Sequence, residues 1–142
     1  MPRVDFYVLE DEQLHPRLLT VCRLVEKALE RGHQVHIHTD SPATASMIDD
    51  CLWTFRDDAF IPHAVDAPED EPLPVRIGLQ SGPVAAADIL INLATQVPDF
   101  YTHFARLIEV VNQDPAIRDT GRDHFRFFRE QGLELHHHPI RS

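Results

Sequence analysis

Residues 121–132 read GRDHFRFFREQG, with three arginines and three phenylalanines in twelve positions. Guanidinium groups fork onto carboxylates and phosphates, and an aromatic ring beside them can shelter an apolar group. On a helix turning about 100° per residue, Arg122, Phe125 and Arg129 fall within about 40° of Arg118, and Arg126 lies near 80°. Ile117, Gly121, His124 and Phe128 gather on the adjacent arc, the expected core face. A charged stripe is often just a solvated helix face. This one holds four of the 13 basic residues, with only Asp119 and Asp123 as counter-charges, and it suits an acidic peptide that ends in an apolar side chain. Single-stranded DNA is another ligand for such a stripe. The formal net charge of -10, from 23 acidic and 13 basic residues, weighs against it, because phosphate binding draws on many Lys and Arg to release counterions.

Other constellations are less complete. The turn LEDEQLHP places Glu10, Asp11 and Glu12 where a phosphate cradle needs glycines and free backbone N–H groups. The five glycines, at 32, 78, 82, 121 and 132, build neither GxGxxG nor a P-loop. The same carboxylates could hold Mg²⁺, but the phosphotransferase chemistry that uses such a site also wants a lysine at a later strand end, and Lys27 is the only lysine in the chain. His36-x-His38 would point two imidazoles to one face of a strand. His136, His137 and His138 form a second group. Neither set has an HExxH, a Cys partner or a carboxylate at a helical offset, and the bland reading is a polar strand face and a frayed terminus. Ser81 lacks the GxSxG signature. A small Mg²⁺- or Zn²⁺-dependent enzyme is the alternative that these features leave, with no cofactor expected on the leading reading.

CLWTFRDDAFIPH, residues 51–63, concentrates Trp53, Phe55, Phe60, Ile61 and Pro62 around Arg56, Asp57 and Asp58. Two readings stand: core packing of the single Trp, or an exposed aromatic anchor for a protein partner. Cys22 and Cys51 have no CxxC spacing and read as small core residues.

The elements that must position these groups follow from periodicity. VDFYVL (4–9), HQVHIHT (33–39), VRIGL (75–79), DILINL (88–93) and RLIEVV (106–111) read as strands. Helices are expected over 14–31, stopped by Gly32; over 41–53, opened by Ser41 and Pro42; and over 114–131, opened by Asp114 and Pro115 and closed by Gly132. A short helical piece is expected near 99–103 and an edge strand at 133–136. The Pro-rich, acidic stretch 62–74 reads as an exposed loop. Strands alternating with helices predict a three-layer α/β fold: a mostly parallel sheet with helices on both faces, nucleotide-binding-like but without a nucleotide site. A length of 142 residues with 43% hydrophobic content fits one domain, 1–142. No signal peptide and no run of 18 apolar residues is present in the sequence, which leads us to expect a soluble, cytoplasmic protein with no membrane partner.

The chain resembles the chi subunit of bacterial DNA polymerase III. VDFYVLED resembles that family's opening strand, LVEKALERGHQVHIHTD its first helix and second strand, and LWTFRDDAFIPH its most recognisable motif. DILINL, FARLIEVV and RDHFRFFREQG then follow in the family's order. The resemblance implies a non-catalytic adaptor in the replisome that pairs with the psi subunit, reaches the clamp loader through psi, meets DNA only indirectly and binds the acidic C-terminal tail of single-stranded DNA-binding protein (SSB). On matching positions it implies Val111, Arg118, Arg122, Phe125 and Arg126 for the SSB tail, and Trp53, Phe60, Pro62 and His63 for psi. Phe125 stands where a tyrosine is typical, and Arg118 and Arg126 stand where lysine is familiar.

Overall fold

The computed structural model describes residues 2–58, 60–67, 73–79 and 88–140. Seven strands form one sheet: β1 (Arg3–Leu9), β2 (Val35–Thr39), β3 (His63–Val65), β4 (Val75–Leu79), β5 (Ile89–Asn92), β6 (Arg106–Val111) and β7 (Glu134–Ile140). Their order is β3-β4-β2-β5-β6-β1-β7, and every pairing is parallel. The connections are α1 (Leu14–Glu30), α2 (Pro42–Thr54), a 3₁₀ helix over Asp99–His103, and α3 (Pro115–Glu130).

The central strands are buried on both faces, as their continuous β-branched runs require. One face packs Ile37, Ile77, Ile91 and Ile108 against Val21, Val25, Ile48 and Leu52 of α1 and α2. The other packs Val4, Phe6, Leu90 and Leu107 against Phe128 of α3 and Phe104. Helices therefore cover both faces, giving the three-layer α/β architecture.

Local chemistry sets the helix ends. Ser41 Oγ accepts from the N–H groups of Ala43 and Thr44, with Pro42 in the first turn. Asp114 accepts from the N–H of Ile117 at 3.3 Å, followed by Pro115. Gly32 and Gly132 take φ of +81° and +77° just beyond α1 and α3, the left-handed stop that a Cβ would disfavour.

Two expectations need correction. Residues 63–65, assigned to an exposed loop, form β3, registered on Val75 to Ile77 of β4; residues 68–72 of that stretch lie outside the described residues. The histidine trio is not a frayed terminus. Strand β7 runs on to Ile140, and parallel pairing places His136, His137 and His138 beside Asp5, Phe6 and Tyr7 of β1. His138 meets the buried Asp5 carboxylate at 2.7 Å and stacks on Tyr7. Burial alone would raise the pKa of Asp5. Hydrogen bonds from His138, Arg106 and Arg3 outweigh burial and hold it below the usual carboxylate value.

Candidate functional site

Helix α3 lies close against β6 because residue 121 has no side chain. A Cβ there would stand 2.6 Å from Val111 Cγ1, closer than carbon atoms approach. With Gly121 seated, Arg118 and Arg122 flank it at spacings of three and one residues. Phe125, one turn further on, meets Phe6 edge to face at 5.3 Å. These groups border a groove of about 230 Å³. Its floor is Phe6, Val8, Val111 and Phe125; Asn112 and Gln113 close the strand end, and His137 borders it from β7.

Four of the five residues assigned to the cationic stripe's ligand, Val111, Arg118, Arg122 and Phe125, therefore share one groove. Arg126 does not line it and sits 3.6 Å from Asp123. The arginines of the groove are only loosely paired. Asp119 lies 3.7 Å from Arg118 Nε and 3.9 Å from Arg122, and among the described residues that buried Nε has no hydrogen-bond partner. Phe125 is half-buried on Phe6, so it belongs to the groove floor more than to an outward face. Sequence reasoning did not include Phe6, Val8, Asn112, Gln113 or His137. The period-2 pattern of β1 puts Phe6 and Val8 on one face, but only the β1-β6-β7 pairing brings that face beneath α3.

Below the groove, α3 is anchored by a buried polar chain. His124 Nδ1 is 3.0 Å from Glu109 Oε1, and its Nε2 is 2.9 Å from the Thr95 carbonyl. Asn92 Nδ2 donates to Glu109 Oε2 at 3.0 Å. Both ring nitrogens of His124 face acceptors, which only the doubly protonated imidazolium satisfies. Burial lowers its pKa, but the hydrogen bond and charge of Glu109, with help from Thr95 and Asp123, raise it above the ordinary value.

A second surface lies on the opposite face of the sheet and near its other edge. Trp53, at the end of α2, is 51% exposed, and Phe60 is 74% exposed, with ring centroids 5.9 Å apart. This exposure removes the core reading of Trp53. Pro62 is half-buried. His63 does not reach the surface: its side chain is fully buried, 4.7 Å beneath the Trp53 ring. Its Nδ1 is 2.6 Å from the Ile61 carbonyl and its Nε2 is 3.0 Å from Asp49, so it props Trp53 from below.

The alternative constellations are not assembled. Among the described residues no group of three or more His, Cys, Asp and Glu side chains is placed to hold a metal. His36 and His38 lie buried against Phe100, and burial pushes His36 down to about 4. Cys22 and Cys51 are buried and free. No described helix is long and apolar enough to cross a membrane.

The geometry is that of a parallel three-layer α/β protein that presents a cationic groove and an aromatic ridge, with three acidic residues in the turn where a phosphate cradle would sit. The family model described as DNA polymerase III chi subunit, HolC, matches residues 1–136. DNA polymerase III subunit chi of Pseudomonas aeruginosa is 47% identical over 140 residues, covering 99% of this chain and 98% of its own. The chi subunits of Haemophilus influenzae and Escherichia coli are each 30% identical, the first covering 92% of both chains and the second 95% of this chain and 96% of its own. The chain belongs to the chi-subunit family of DNA polymerase III, accessory subunits of DNA replication. Domain 2 of the DEAD-box helicase Mss116p, solved bound to an RNA duplex, superposes with a TM-score of 0.62 at 9% identity, covering 98% of this chain and 64% of the helicase chain; that likeness concerns the fold alone.

Proposed function

We propose that this chain is a non-catalytic adaptor that binds the acidic C-terminal tail of SSB through the α3 groove and the psi subunit through the Trp53 ridge, linking the clamp loader to SSB-coated DNA. One observation carries the reading: a groove with an apolar floor, rimmed by Arg118 and Arg122, whose nearest carboxylate among the described residues, Asp119, stands at 3.7 and 3.9 Å, too far for a hydrogen bond. An aromatic side chain fits over Phe6 and Phe125, while the peptide's terminal carboxylate and aspartates meet the guanidinium groups. Guanidinium groups held this loosely keep N–H donors for an incoming carboxylate.

The test is titration of a fluorescent peptide carrying the SSB C-terminal tail. Arg122→Ala, at an exposed position, should weaken binding by about 1.5–3 kcal/mol with an unchanged fold. Affinity should fall with ionic strength, since exposed charges are screened over about 10 Å at 0.1 M salt. Equal affinity of variant and wild type at low salt would sink the tail assignment.

A further inference from the structure

A separate cleft opens where the sheet's connections change sides. Strands β2 and β5 are neighbours, yet β2 leads into α2 on one face, while β5 leads to the 3₁₀ helix on the other. Their carboxyl ends therefore diverge, and crevices at such switch points are where open parallel sheets take ligands. The cleft measures about 620 Å³, within the range of small-molecule sites. It shares no lining residue with the α3 groove.

Its walls define the chemistry. Asp40 and Asp99 line it and, among the described residues, no Lys or Arg does, so an anionic ligand is repelled and a cation attracted. His38 also lines it, is 6% exposed, and its Nδ1 has no hydrogen-bond partner among the described residues. Buried polar atoms are nearly always paired, so an unpaired imidazole nitrogen beside an open polar cleft points to a missing partner. Burial keeps His38 neutral by lowering its pKa, which leaves it able to accept a hydrogen bond. The floor is held in shape: Asp40 accepts from both the N–H and the hydroxyl of Thr95, at 2.9 and 2.8 Å. Phe100 supplies an aromatic wall, its ring perpendicular to His38 at 5.2 Å. Although His38, Asp40 and Asp99 all line the cleft, among the described residues no three such side chains stand close enough together to hold a metal ion.

We propose that this cleft binds a small organic cation with N–H donors, a primary amine or a guanidinium, held by Asp40 and Asp99 and hydrogen-bonded to His38. The ligand approaches from the open side, its charge met by the carboxylates and its carbon stem laid along Phe100.

The experiment is NMR titration of the full chain, following the His38 imidazole and the Thr95 and Gln96 amides. Spermidine probes the alkyl-amine source and methylguanidine the guanidinium source, each at low and at physiological salt. The expected result is saturable shifts at His38, Thr95 and Gln96 for at least one probe, with Phe125 and Arg122 unmoved. Asp99→Asn, at an exposed position, should weaken that binding by about fivefold or more, as loss of one charge-assisted contact implies. His38→Phe, which keeps an aromatic ring but removes the nitrogens, should weaken it as well. The proposal is overturned if neither probe shifts His38, if the shifts are non-saturating and spread over the acidic surface, or if Asp99→Asn binds as tightly as wild type.

Discussion

Gly121→Ala tests whether the approach of α3 to β6 shapes the groove. In a helix interior, replacing Gly by Ala is worth about 1 kcal/mol in favour of folding. At this position the new methyl would lie 2.6 Å from Val111 Cγ1, and ordinary contact begins at 3.4 Å. Helix and strand must therefore separate by about 0.8 Å, or Val111 must leave its rotamer. Val111 is β-branched and its χ1 is stiff, so the helix is expected to move. Overpacking of this kind costs about 1–3 kcal/mol, which offsets the helical gain and leaves a net loss of up to about 2 kcal/mol. The same displacement lifts Arg118 and Arg122 from the groove floor, so affinity for the SSB-tail peptide should drop about tenfold, about 1.4 kcal/mol. Urea denaturation and peptide titration read the two effects separately. A variant about 1 kcal/mol more stable than wild type, with unchanged peptide affinity, would show that the close approach does not shape the site.

Trp53→Ala should keep the fold but lower the urea midpoint, because it uncovers the His63 ring buried 4.7 Å beneath, and should abolish psi capture in co-purification; capture equal to wild type by the folded variant would sink the ridge assignment. Two limbs of the stability–pH curve should have different owners. His124 has a raised folded-state pKa, so its contribution is complete below about 6.5 and is lost as pH rises through the folded value; His124→Gln should flatten that alkaline limb in thermal melts. His36 has a depressed pKa of about 4, so its neutral, buried form contributes fully above about 6.5, and up to about 3 kcal/mol is lost as pH falls toward 4. His36→Leu should reduce the loss between about pH 6.5 and 4, leaving the shares of His38 and, at lower pH, of Asp5, and an unchanged loss in that window would remove His36 as a cause.

The elements legible in the sequence were those whose local chemistry agrees with their packing. Ser41-Pro42 and Asp114-Pro115 mark helix starts by the hydrogen bonds they make, and VHIHT and ILIN read as buried strands because both of their faces are covered. The split of α3 into a face with His124 and Phe128 and a face with the arginines needed only helical periodicity. The rest depends on long-range pairing. HAV is too short to announce β3, and its pairing with β4 is decided ten residues further on. ELHHHPI carries no apolar alternation strong enough to mark a strand beyond 136; its order comes from β1, through Asp5 and Tyr7. Phe6 and Val8 could be placed on a face but not beneath α3, and His63 goes to psi on the resemblance alone, since its contacts with Ile61 and Asp49 are invisible without the fold.

The placement of the α3 groove and the Trp53 ridge on opposite faces has a thermodynamic consequence. The two surfaces share no lining side chain, so occupying one should leave the intrinsic affinity of the other unchanged, and their free energies should add. Bridging would then strengthen attachment without any cooperativity in the protein itself. On the proposed reading, a partner held on the ridge would confine whatever it is tethered to, and an acidic tail in the same assembly would meet the groove at an effective concentration set by the tether's length and stiffness. Release from either side can then proceed in any order, so an intermediate stays attached by one contact while the other is exchanged.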